Sequence, residues 1–253
     1  MEYLEFERIL SAKRMQRYKD AANGDTRKAM ALYRYNLRLS QEMFTIVSCF
    51  EVALRNAIDN LLVPSLGGNW LKDSVQDNGI FSNGRMNETR KIIEKAYNRL
   101  NRQGIYSHSK LIAEMEFGVW KYMYSSLQYR ATGQCLLRAF PNKPRSSAAV
   151  QYNNAYIFNE LDKVNSLRNR IAHHEPICFR LHASEIDTSY IVNEYQKIQT
   201  LFSWMGIDSR SMLYGLDHVQ SVCSKINALK QGAFIFFNKI TCSHQAVGVS
   251  IPK

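Results

Sequence analysis

The segment Ser166-Leu-Arg-Asn-Arg-Ile-Ala-His-His-Glu-Pro176 gathers two arginines, an asparagine, two histidines and a glutamate at the end of one predicted helix. These residue types suit cleavage of an RNA backbone. Histidine exchanges a proton near neutral pH, and arginine can hold a phosphate through two parallel hydrogen bonds. Pro176 lacks an N–H and disfavours helical geometry in the residue before it, so the helix is expected to end near Glu175. Both histidines are then expected in its last turn, where the helix dipole favours positive charge. Asn169 and His173 are four apart and share a face, with Arg168 one position off it on a long side chain. Arg170 and His174 make a second polar stripe, while Leu161, Val164, Leu167 and Ile171 recur at helical spacing as the anchoring apolar stripe. Taken singly, each polar residue reads as part of a hydrated basic surface; the density of the set is what points to chemistry.

The elements that must position this helix follow from periodicity and punctuation. Residues 3–22 read as one amphipathic helix, and Asn23-Gly24-Asp25 as a turn in which Asp25 or Thr26 caps the next. That next helix is sustained to Leu62 by Leu32, Leu37, Phe44, Val47, Phe50, Leu54, Ile58 and Leu61, and is ended by Pro64 and Gly67-Gly68. Residues 64–86, around Trp70 and Phe81, read as a long loop. Further helices are expected over 87–103, 109–128, 135–139, 146–175 (one helix or a pair), 184–205 and 210–230. Residues 233–253 carry Phe-Ile-Phe-Phe and could form a strand, a packed extension or a tail. No βαβ pattern is present, so the expected class is an all-α bundle. The expected organisation is a helical domain over 1–205, with 206–253 a C-terminal helix and extension packed on it.

Of 253 residues, 33 are Lys or Arg against 22 Asp or Glu, a net charge of +11. Residues 61–180 hold 17 basic and 9 acidic side chains, so the chemical helix lies in the basic part of the chain. That excess favours a polyanionic partner. Five scattered cysteines (Cys49, Cys135, Cys178, Cys223, Cys242) fit reduced thiols in a cytoplasm better than a disulfide framework or a zinc site. The charged first residues do not read as a secretory signal, and no apolar run reaches membrane-spanning length, so the expectation is a cytoplasmic protein with no membrane partner.

Leu167-Arg-Asn-Arg-Ile-Ala-His-His-Glu-Pro-Ile177 resembles the signature of the Abi-like (abortive infection) proteins of the HEPN ribonuclease superfamily. Phe50-Glu-Val-Ala-Leu-Arg-Asn-Ala-Ile58 resembles the family's N-terminal Glu-x-x-x-Arg-Asn helix, and Ile112-Ala-Glu-Met-Glu-Phe-Gly-Val-Trp120 its central Phe-Gly-x-Trp helix. The three segments stand in family order and extend to about residue 205; nothing beyond Gly206 takes part. The resemblance implies a HEPN-like helical bundle with additional helices. It also implies a ribonuclease motif made of Arg168, Asn169 and His173, paired with a second copy across a homodimer. Arg55-Asn56 has no histidine at the matching spacing, so it is not read as a second active half.

A metal set of His173, His174, Glu175 and Cys178 is interrupted by Pro176, and neither a phosphate-binding glycine loop nor a nucleophile elbow is present. No cofactor is expected. Metal-free cleavage through the ribose 2′-OH fits better, with His173 as acid or base, Arg168 on the scissile phosphate and Asn169 orienting one or the other. Arg170, His174 and Glu175 are supporting or RNA-binding candidates, with His174 favoured as structural. Glu51 and Arg55, four apart, are expected to form a helix-face ion pair supporting the site, and Phe117 and Trp120 to be core. The expected function is an RNA endonuclease acting as a phage-defence or toxin effector, with RNA as substrate and as a candidate regulator. The alternatives are a non-catalytic RNA-binding module, or a HEPN-like interaction protein in a toxin–antitoxin system with an antitoxin as partner.

Overall fold

A helix of 41 residues, α3 (Thr26–Leu66), is the spine of the computed structural model, which describes residues 1–82 and 84–231. Before it come α1 (Tyr3–Leu10) and α2 (Ala12–Ala21); after it come α4 (Trp70–Asp73), α5 (Asn87–Arg102), α6 (His108–Glu114), α7 (Phe117–Tyr122) and α8 (Ser126–Ala131). Then follow α9 (Asn154–Ala172), α10 (Ser189–Trp204), α11 (Ser209–Met212) and α12 (Val219–Lys230). The fold is all-α: among the described residues there is no strand, and the bridge Phe179–Ile186 is isolated. Residues 233–253, where the sequence left three possibilities open, lie outside the described residues.

α3 buries Leu32, Leu39, Met43, Val47, Phe50, Leu54 and Ile58, and the rest of the bundle closes on this stripe. Phe50 meets Phe202 of α10 edge to face at 5.2 Å and lies 6.3 Å from Phe117 of α7. Phe117 and Trp120 are fully buried, and each such side chain contributes about 1.5–3 kcal/mol. α12 packs along α3 through Val219, Cys223 and Ile226, and the His218 N–H donates to Glu42 Oε2 at 3.1 Å. Leu37 and Phe44, which the periodicity placed in the buried pattern of α3, are instead each 46% exposed.

The differences from expectation are mainly breaks. Residues 3–22 form two helices because Ser11 takes a left-handed backbone (φ 79) and its Oγ accepts from the Arg14 N–H, starting α2. Pro64 removes one donor from the last turn of α3 without ending it; Gly67, at φ 91, stops the helix. The long connection over 64–86 is packed: α4 and a 3₁₀ turn lie in it, Trp70, Leu71, Val75 and Phe81 are buried, and Trp70 Nε1 donates to Asp59 Oδ1 at 2.7 Å. The single helix expected over 109–128 is three, since Met115, Glu116 and Ser125 are extended. Three short helices separated by extended residues bury Leu111, Trp120 and Tyr129 in turn; tertiary burial overrides local propensity. No helix among the described residues is long and apolar enough to cross a membrane.

Candidate active site

α9 is anchored as its sequence requires. Asn153 caps it by accepting from the Tyr156 N–H at 3.0 Å, and Leu161, Val164, Leu167 and Ile171 are all buried. Its end differs from expectation. The helix stops at Ala172, not near Glu175, so the histidines lie beyond the last turn: His173 is the cap residue and His174 adopts φ 56. The His174 N–H donates to the Ile171 carbonyl at 3.0 Å and the Glu175 N–H to the Arg170 carbonyl at 2.9 Å, the pair of bonds that closes a Schellman cap. Glycine usually fills the left-handed position of this motif; here a histidine does, at some backbone cost. Pro176 then prevents the helix from resuming. The His173 N–H still donates to the Asn169 carbonyl at 2.9 Å, so the shared face of Asn169 and His173 survives the early stop, and both side chains are exposed.

The cap is held from three sides. Arg14 of α2 donates through Nη1 to the His174 carbonyl at 3.0 Å. Asn36 of α3, itself buried, accepts through Oδ1 from the Ile177 and Cys178 N–H groups at 2.8 and 3.2 Å. Arg170 donates through Nε to Glu175 (3.2 Å) and through Nη2 to the Pro176 carbonyl (3.1 Å), and stacks over Tyr190 at 5.0 Å. The sequence offered Arg170 and Glu175 as supporting or RNA-binding residues; the fold spends the largely buried Arg170 on bracing the loop, with Glu175 paired to it at the exposed edge. Asn36 and Arg14 were missed by sequence reasoning. Asn36 had a signal, since it stands as a polar residue within the apolar series Leu32, Leu39, Met43; Arg14 had none.

Arg168 faces the other flank of α9, toward α3. Glu51 on α3 lies within electrostatic range of Arg168, Arg55 and Glu116, so the three separate segments of the sequence signature converge. Burial raises the Glu51 carboxyl above its ordinary value and Glu116 adds to this, while Arg168 and Arg55 oppose it. The direct ion pair expected between Glu51 and Arg55 is absent among the described residues, and Arg55 Nε is buried with no hydrogen-bond partner there. Arg168 reaches only Asn169 Oδ1, at 3.5 Å, a weak contact. Two guanidinium groups with unspent donors thus stand near one carboxylate of reduced acidity. His173, five residues beyond Arg168, is about 7.5 Å farther along the axis at helical rise.

Among the described residues no cluster of three His, Cys, Asp or Glu could hold a metal ion. The buried Cys178 thiol is pushed up to about 12 by desolvation, which leaves it a poor nucleophile. A family model described as Abi-like protein matches residues 2–178. No curated protein and no solved structure matches this chain.

Proposed function

The chain belongs to the Abi-like protein family, and from that premise and the geometry around Arg168 we propose that it is a HEPN-type endoribonuclease serving abortive infection as a defence or toxin effector. The observation that carries the reading is the convergence of Arg168 with Arg55 and Glu51 beside a braced cap that presents an exposed imidazole. A phosphate entering this flank meets donors that the protein itself leaves unused. In the reaction a base takes the ribose 2′-OH proton, the O2′–P bond forms, the P–O5′ bond breaks and an acid protonates the departing 5′ oxygen. The products are a 2′,3′-cyclic phosphate and a 5′-hydroxyl. Arg168 neutralises the charge gathering on phosphorus, His173 moves a proton and Asn169 orients the imidazole or the phosphate.

One chain supplies one such histidine, whereas the reaction uses an acid and a base. A symmetric homodimer supplies both, with the partner's His173 across a shared cleft. The exposed apolar residues Leu37, Phe44 and Val52 of α3 lie on the same helix face as Arg55, which gives a second copy an apolar surface next to the site. The test is incubation of the purified chain with single-stranded RNA in EDTA, followed by mapping of the cut ends. Cleavage leaving 2′,3′-cyclic phosphates, abolished in Arg168→Ala and His173→Ala with helicity intact, is expected. Undiminished cleavage by His173→Ala, or loss of wild-type cleavage on adding EDTA, refutes this mechanism.

A further inference from the structure

A second feature of the surface leads toward the Arg168 flank. A groove of about 830 Å³ runs between α5 and the α6–α7 turn. Lys95, Arg99 and Arg102 form one wall, Gly118 and Tyr122 belong to its floor, and Glu116 also lines it. Glu116 is the cap residue of α7, and α7 packs against both α9 and α3, so the groove opens beside the elements that carry the candidate active site. Resting on the ribonuclease reading above, we infer that this groove is the track on which single-stranded RNA lies as it enters the site.

Three observations support RNA as the occupant. First, the unneutralised charge of α5 is on the groove wall. Arg90 and Lys91 are paired with Glu94 and Glu88 and Arg99 with Glu114, whereas Lys95 and Arg102 have no acidic partner among the described residues. The two unpaired cations, Lys95 and Arg102, stand about 10.5 Å apart along α5, enough to meet separate phosphates of one strand. Second, Tyr122 is 47% exposed yet held in place: Phe158 backs its ring at 5.8 Å, and Lys121, itself buried and paired with Asp162, stands 4.5 Å over it. A fixed, open ring is what a base stacks on. Third, Gly118 sits one turn before Tyr122 on the same face of α7, where glycine costs about 1 kcal/mol relative to alanine. A Cβ there would meet nothing within 4 Å, so nothing inside the molecule requires the glycine. Bare backbone beside an open ring suits a ligand that approaches closely. The groove is also sided, with the unpaired Lys95 and Arg102 on α5 and with Glu116, beside the Arg99-bound Glu114, across from them, so a strand lies with its phosphates toward α5 and its bases over α7. An acidic helix, charged around its circumference, would press carboxylates against those glutamates.

The probe is a 2′-O-methyl RNA 12-mer, which cannot be cut because its nucleophile is blocked. Its binding to the full chain is read by fluorescence anisotropy, beside an acidic peptide of equal length. Tyr122→Ala is expected to weaken RNA binding about 10-fold or more. Lys95→Glu with Arg102→Glu, both on exposed side chains, should weaken it further and flatten its salt dependence, and Gly118→Leu should block it. Circular dichroism checks each fold, and the surface charge pair keeps the test decisive if a leucine at 118 disturbs α7. RNA binding at wild-type strength in all three variants overturns the track while leaving the Arg168 chemistry standing. A wild-type chain that binds in the groove but cuts no RNA upholds the track and refutes the cleavage reading. A wild-type chain that binds the acidic peptide and not RNA, or binds neither, overturns the inference.

Discussion

Asn36 touches no substrate in this reading, yet its removal is expected to damage both the fold and the chemistry. Its side-chain oxygen is the common acceptor for the Ile177 and Cys178 N–H groups, at 2.8 and 3.2 Å, and all three residues are buried. Asn36→Ala leaves two backbone donors where water does not easily reach. Each stranded donor costs about 1–3 kcal/mol; at about 1.5 kcal/mol apiece, in the lower half of that range, the pair costs about 3 kcal/mol, a large share of a typical stability of about 5–15 kcal/mol. For a chain of this size that corresponds to a fall in melting temperature of about 6–12 °C. The loop that Asn36 holds follows the α9 cap directly, so RNA cleavage measured well below the melting range should fall by about 10-fold or more, as it does when a catalytic group is slightly misplaced. Asn36→Asp retains oxygens that accept both bonds and should keep more of the cleavage activity than alanine does. Urea titration monitored by circular dichroism reads the first effect, and single-turnover cleavage reads the second. A loss under about 1 kcal/mol for Asn36→Ala would show that the two donors find other partners. A destabilised variant cutting at the wild-type rate would show that the loop does not place His173.

His174→Gly suits φ 56 and should leave stability within about 1 kcal/mol of wild type, since relieved strain and added unfolded-chain freedom oppose each other. Cleavage should persist in that variant, and its loss with an unchanged urea midpoint would assign chemistry to the His174 imidazole. The Glu51 carboxyl is raised above its ordinary value of 4.5, chiefly by burial, so the folded state holds that proton more tightly than the unfolded chain does. The stability this lends is present below about pH 4.5 and is lost as pH rises through the raised value. Glu51→Gln should therefore gain stability relative to wild type as pH climbs through that window, and should bind RNA more tightly at neutral pH because Arg168 and Arg55 lose their opposing charge; a difference independent of pH would contradict the raised value. Mixing wild-type chains with His173→Ala chains should lower activity faster than the wild-type fraction falls, whereas a strictly linear decline would mean that each chain cuts alone. Affinity for single-stranded RNA should drop steeply with salt, roughly in proportion to the phosphates contacted, and a flat titration would argue against an electrostatic groove.

The sequence by itself determined that the protein is helical, which faces of α9 are apolar and polar, and that Asn169 and His173 share a surface. These properties depend on a repeat of 3.6 residues, which is complete within any two turns of the chain. Its breaks were less legible. Ser11 and Met115 look no different from residues inside helices, and only the need to bury side chains against α3 in several directions makes them turning points. Pro176 ends the helix locally, but tertiary structure bears on where α9 stops, because the left-handed backbone at His174 is held by Arg14, 160 positions earlier in the chain. It turned Arg170 from a free cation into a brace by setting Tyr190 and the Pro176 carbonyl beside it. It also raised the Glu51 carboxyl, since burial and the approach of Glu116 and Arg168 exist only once α3, α7 and α9 have packed. Residue types and local spacing are written along the chain, whereas proton affinity and the position of a cap depend on neighbours that only packing brings within a few ångströms.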